Sequence, residues 1–300
     1  MVDRLSGIIG PCYKNRTFVH KITYMQLLYS YRLSDLLSRR SAWLTIGLLA
    51  LLLHAGPAAA ALDVAACARV EAAGLVAGHA PVGCDRLAVV RFPYVDFSGA
   101  RHVDGEIMVL AAVAPEVGQL FHALYQRRFP LARARLIEHY QGDDNASMQD
   151  NNTSAFNNRQ ITGGGPPSLH AYGLAIDINP LQNPYVQPDQ QGAARFSPPA
   201  GVAYMNRLAH RPGKQARPGM AEPVVRLFAQ YGFTVWGGYW DTPVDYQHFQ
   251  FGRGMAERLA ALPEVQARAL FLRQLDHLRK CLRQEEKRMQ REIGTSCALD

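Results

Sequence analysis

The segment Ser168–Pro180, S-L-H-A-Y-G-L-A-I-D-I-N-P, constrains this chain more than any other. It sets His170 and Asp177 seven residues apart. From Gly173 on, Leu174, Ile176 and Ile178 alternate with Ala175, Asp177 and Asn179. A period of two predicts a strand with one apolar face and one small, polar face. Asp177 then stands mid-strand, held rigidly and turned away from the packed side. A half-buried carboxylate without a partner is costly, and a divalent metal shared with His170 is one candidate partner. A second polar cluster, Asp245-Tyr246-Gln247-His248-Phe249, lies far downstream and is expected to meet the first.

The N-terminal end reads differently from the rest. Residues 1–42 carry Arg4, Lys14, Arg16, Lys21, Arg32, Arg39 and Arg40 against only Asp3 and Asp35. The apolar run Ala42–Leu53 follows, then A-G-P-A-A-A-A-L-D. A basic region, a short apolar core and a small-residue site predict a secretory signal peptide, cleaved near Ala61, with Met25 as an alternative start. The run is short against the roughly 20 residues of a membrane span. A periplasmic or secreted protein without stable membrane insertion is therefore expected; the alternative is anchoring by an uncleaved leader. Residues 1–61 hold 7 of the 32 Lys+Arg and 2 of the 25 Asp+Glu, leaving 25 against 23. Bulk charge thus makes no case for nucleic-acid binding.

Cys67, Cys84, Cys281 and Cys297 follow the leader. An even set in an exported chain predicts two disulfides. Of the three pairings, the local ones, Cys67–Cys84 and Cys281–Cys297, are favoured, each closing about 17 residues and contributing about 3 kcal/mol by loop entropy. No C-x-x-C pair points to a zinc cluster of these four.

In order, residues 62–84 predict a short helix and a loop, Leu87–Phe97 and Val103–Val113 two strands, and Pro115 the start of an amphipathic helix through Tyr125. Leu131–Tyr140 reads as strand-like. Gln141–Pro167 is the longest polar stretch, and a loop of this length in a compact domain is usually functional or disordered; an ordered loop lining a site is expected, with Arg159 its only basic residue. Val224–Tyr231 predicts a helix ended by Gly232, Phe233–Trp240 an aromatic, β-prone segment broken by glycines, and Tyr246–Phe251 a last strand. Glu257–Arg291 predicts a helix or helical pair packed on the domain. The expected organisation is a leader over 1–61, a catalytic domain over 62–252 with its motifs in 131–251, and a C-terminal helical extension over 253–300.

Histidine and carboxylate are good zinc ligands, and a catalytic zinc keeps three protein ligands and a water. His170, Asp177 and His248 would make that set. Asp245, three residues before His248, would take a proton from the water and return it to the leaving amine. Arg159 would steady the carbonyl oxygen as charge develops on it, and Trp236, Tyr239 and Trp240 would wall the cleft. The structural alternative is a metal-free domain with His170 and His248 satisfied by hydrogen bonds.

S-x-H-x-x-G-x-A-x-D, then W-G-G-x-W, then D-x-x-H-F resembles the VanY-like zinc peptidases, the D-alanyl-D-alanine carboxypeptidases and L-alanyl-D-glutamate endopeptidases. The resemblance covers roughly Leu131–Phe251. It implies zinc on His170, Asp177 and His248, Asp245 as general base in place of the more common glutamate, Arg159 as the carbonyl-steadying arginine, and Ser168 orienting the segment or meeting the peptide. It implies an α+β fold, a small central antiparallel sheet with flanking helices as in hedgehog and D-Ala-D-Ala peptidase domains. It also implies hydrolysis of an amide bond in a peptidoglycan stem peptide. Related hedgehog domains keep a similar site, so the alternative is an idle zinc module binding cell-wall glycan or a protein partner. A carboxypeptidase also needs a cation for a terminal carboxylate; Arg195, Arg207, Arg211 and Lys214 are the candidates.

Overall fold

A computed structural model describes residues 62, 64–72, 74–76 and 80–296. The chain divides into two compact units, 1–58 and 59–300, and the described residues all belong to the second. The expected signal peptide and Cys297, hence the Cys281–Cys297 bridge, lie outside them. No helix among the described residues is long and apolar enough to cross a membrane.

Helix α1 (Val64–Ala72) is tied to the start of the domain by the Cys67–Cys84 disulfide, with a Cα–Cα distance of 5.4 Å. Strands β1 (Leu87–Val95) and β2 (Arg101–Leu110) form an antiparallel hairpin. Helix α2 (Ala114–Gln126) opens with Pro115 in its first turn, as expected, and stacks Phe121 on Phe92 of β1 at 3.9 Å. The expected second strand stops at Leu110, because Ala111–Val113 turns as a 3₁₀ segment into α2.

The strand expected over Leu131–Tyr140 shrinks to β3 (Arg133–Ala134), followed by a 3₁₀ turn over Ile137–Tyr140. The cause lies in a side chain. Asn152 accepts from the Arg135 N–H (2.8 Å) and donates to the Arg135 carbonyl (3.0 Å), occupying the groups a longer ladder would need. The long polar stretch is ordered: it forms α3 (Asp144–Gln149), capped by Asp143, and β4 (Asn152–Thr153), parallel to β3.

Strand β5 (Ala175–Asp177) follows, then β6 (Tyr185–Pro188), β7 (Ala194–Ser197), α4 (Val225–Gln230), β8 (Val235–Trp236), β9 (Val244–Asp245) and β10 (His248–Gln250). They build two three-stranded antiparallel sheets, β5-β10-β8 and β7-β6-β9. The C-terminal segment is a pair, α5 (Arg253–Ala261) and α6 (Glu264–Ser296), parted where Leu262 turns extended ahead of Pro263. Leu259, Ala267 and Phe271 are buried in the same core as Leu174, Phe228 and Phe249, so the extension packs on the domain. The fold is α+β, with small, mainly antiparallel sheets flanked by helices.

The alternation across Gly173–Pro180 is right in direction and incomplete in burial. Leu174, Ile176 and Ile178 are buried, but so are Ala175, Asp177 and Asn179. The "polar" face of β5 is an interior face.

Gly173 makes this segment possible. Its φ is +63°, and a Cβ there would lie 2.6 Å from the Leu110 nitrogen and 2.9 Å from the Val109 carbonyl carbon. Its carbonyl accepts the Leu110 N–H at 3.0 Å, drawing the segment against the end of β2. Gly173→Ala combines a strained backbone with a clash against main chain, which cannot swing aside. It is expected to cost about 2–4 kcal/mol, read as a lower midpoint in urea unfolding. An unchanged midpoint would contradict this account of the contact.

Candidate metal centre and active site

Three elements converge. In the β5–β10 pair His248 lies directly opposite Asp177, so both side chains share a face, while Phe249 and Ile176 turn to the core. His170 arrives from the 3₁₀ turn Leu169–Tyr172. Ser168 caps that turn, its hydroxyl oxygen accepting the His170 N–H at 3.3 Å, and Gly173 closes it.

The three side chains touch. His170 Nε2 is 3.2 Å from Asp177 Oδ2, His248 Nδ1 is 2.9 Å from Asp177 Oδ1, and the two ring nitrogens are 3.1 Å apart. All three residues are buried. The outward ring nitrogens are engaged: His170 Nδ1 donates to the Ala155 carbonyl at 2.5 Å and His248 Nε2 to Gln250 Oε1 at 2.8 Å. Each outward N–H leaves the inner nitrogen as the one that offers a lone pair. Two lone pairs and a carboxylate aimed at one point repel unless a positive charge sits between them.

The electrostatics agree. Burial pushes the Asp177 carboxyl up, but the two histidines outweigh it and hold it well below the usual carboxylate range. Burial works against a charged His248, yet its hydrogen bond to Asp177 and that residue's charge lift it to about 9. The site calls for a cation at its centre, a proton or a metal ion. His170, Asp177 and His248 are the described group whose ligand atoms fall within 4.8 Å of one another without a disulfide already joining its members. The donor set of two imidazoles and one carboxylate fits zinc.

Asp245 sits beside this group on β9, 9% exposed, and its Oδ1 is buried without a hydrogen-bond partner among the described residues. Burial first, then the charge of Asp177, pushes its carboxyl up to about 7. The glycines of W-G-G-Y-W make its place. A Cβ on Gly237 would lie 2.5 Å from the Asp245 carbonyl oxygen, and one on Gly238 2.3 Å from the Trp236 ring. Gln247 Oε1 and Arg159 Nε are likewise buried and unpartnered. Buried polar atoms left open in one place mark where water or a ligand belongs.

Arg159 is near enough for its charge to act on Asp245 and Tyr185, but its guanidinium is held by Asp144 at 3.0 Å. Trp240 lies against His248, ring centroids 5.4 Å apart. Trp236 is 6% exposed and donates to the Tyr246 carbonyl at 2.8 Å, while Tyr239, 61% exposed, stands edge-on to it. Several neighbours were not singled out in the sequence: Ala155, Gln250, Asp144 and Tyr185; Gln247 stood there only as a member of the second polar cluster. Ala155 acts through its carbonyl, Gln250 through a single amide and Asp144 through an ion pair with Arg159, none of which a spacing encodes.

Residues 162–251 match the sequence model of the D-alanyl-D-alanine carboxypeptidase family. This supports the VanY-like resemblance drawn from the motifs, and with it a peptidase role on peptidoglycan. The match takes in all three proposed ligands and Asp245, and leaves Arg159 just outside. No curated protein and no solved structure matches the chain.

Proposed function

We propose that the chain is an exported, zinc-dependent peptidase that hydrolyses an amide bond in peptidoglycan stem peptides. The observation that carries this reading is the open carboxylate oxygen of Asp245 beside the convergent His170, Asp177 and His248. Zinc held by those three would acidify a water molecule toward neutral pH and polarise the substrate carbonyl.

The chain's own residues supply the remainder. Ala155 and Gln250 fix the rings of His170 and His248. Asp245 accepts the proton that the water loses as its oxygen bonds to the carbonyl carbon. It delivers that proton to the departing amine nitrogen as the C–N bond breaks, so no net proton is consumed at the carboxylate. Arg159, released in part from Asp144, would steady the carbonyl oxygen. Trp240 walls the cleft beside His248. Ser168 acts by orienting the turn that carries His170, its hydroxyl being engaged there. The leader over residues 1–61 would take the protein to its substrate.

The test is mass spectrometry of muropeptides incubated with the purified protein after chelation and again after zinc is restored. A defined fragment released only by the zinc-loaded protein supports the reading and names the bond cut. Zinc binding with no cleavage of any muropeptide would favour an idle module that binds cell-wall glycan or a protein partner.

A further inference from the structure

The general base sits at one end of a polar stripe that crosses a whole sheet. In β6–β9, Tyr185 lies directly opposite Asp245; in β6–β7, Tyr185 lies opposite Ser197 and Gln187 opposite Arg195. Opposite residues share a face, and residues two apart on a strand share it too. Asp245, Tyr185, Gln187, Ser197 and Arg195 therefore stand on one face, while Val244, Val186 and Phe196 stand on the other. The Tyr185 hydroxyl donates to Gln187 Oε1 at 3.0 Å, joining two members of the stripe. Asp245 is buried, Tyr185 and Gln187 are half-buried, and Arg195 is exposed, so the stripe climbs from the base of the site to open solvent.

Of the four cations considered for a substrate carboxylate, the structure separates one. Arg207 is spent: it donates to Glu222 at 2.7 and 2.9 Å, to Asn183 Oδ1 at 2.8 Å and to the Gln182 carbonyl, with 14% of its side chain exposed. Arg211 and Lys214 belong to a turn outside the β7-β6-β9 sheet, closed by Lys214 N–H to the Arg211 carbonyl at 3.1 Å; Arg211 Nε is buried without a partner, but neither residue stands on the strand face that carries Asp245. Of the four, Arg195 shares the face of Asp245, and its side chain makes no ion pair among the described residues.

We infer that Arg195 is a specificity residue that binds a free carboxylate of the substrate at a distance from the bond cut. Two strand spacings, about 10 Å, and one step of two residues, about 7 Å, separate it from Asp245. That is a reach of three or four extended residues, shortened by the arginine side chain. It suits an acidic side group further along the stem peptide better than the carboxylate of a single residue released next to the scissile bond. This inference rests on the peptidase reading above.

The test uses two synthetic stem peptides, one with its acidic side groups free and one with them amidated, given to the zinc-loaded wild type and to Arg195→Gln. Binding of the same peptides is measured by calorimetry in the Asp245→Ala background, with and without Arg195→Gln. The wild type is expected to prefer the free-acid peptide about tenfold in KM, and Arg195→Gln to shrink that preference to about twofold or less, with Arg195→Lys restoring part of it. Equal preference in wild type and Arg195→Gln, in both assays, overturns the inference while the peptidase reading stands. Cleavage of neither peptide, together with binding that still depends on Arg195, overturns the peptidase reading and leaves the carboxylate site.

Discussion

Asp245→Asn is expected to keep its zinc and lose kcat by about 10²–10⁴, the range a positioned general base supplies. The substitution preserves shape and hydrogen-bonding capacity, so folding and metal content serve as internal controls. What it removes is the ability to hold a proton on the oxygen that lies open next to His170, Asp177 and His248. Burial and the neighbouring Asp177 push this carboxyl up from the usual carboxylate range. Metal analysis beside a single-turnover assay on muropeptides checks the result. A variant that keeps zinc and full activity would remove Asp245 from the chemistry and move the search for the base to another residue.

Asp177→Asn is expected to act earlier, on the metal itself. The carboxylate is 3% exposed and lies within 2.9 and 3.2 Å of both ring nitrogens, so its charge cannot be replaced from solvent. Loss of a hydrogen-bond partner behind a ligand costs 10–100-fold in metal affinity; loss of the anionic ligand should cost at least about 100-fold. In wild type, zinc at a thousand times its Kd stabilises by about 4 kcal/mol, which at about 2–4 °C per kcal/mol raises Tm by roughly 8–16 °C. In Asp177→Asn the same zinc concentration should leave Tm within a few degrees of the metal-free protein. An undiminished zinc-dependent rise in the variant would show that the ion binds elsewhere.

Much of the convergence of His170, Asp177 and His248 is legible in the sequence. The alternation from Gly173 to Pro180 set Asp177 on a strand and gave it a face, and the second motif supplied His248. What alternation does not report is burial on both sides, because Ala175, Asp177 and Asn179 are as hidden as the isoleucines between them. The segment Leu131–Tyr140 misled because its β-prone residues compete with one amide, Asn152, seventeen positions from Arg135. The polar stripe through Tyr185, Gln187 and Arg195 was invisible for a related reason. Strands of two to four residues carry no periodicity of their own, and the register that joins Asp245 to the stripe comes from a partner, Tyr185, 60 residues away. The aromatic cluster shows the same limit: composition marks Trp236 and Trp240 alike, and only packing places one in the sheet and the other against His248.

The pairing of His248 with Asp177 joins positions 71 residues apart in a middle strand that also holds β8. A slip of one residue in that register would send His248 to the opposite face. On the peptidase reading, a metal ion would find all three ligands together only after β10 has paired with β5, because His248 meets Asp177 through that register. Were that reading right, a chain in which β10 had not yet settled between β5 and β8 would lack the centre, and activity would report on a completed fold.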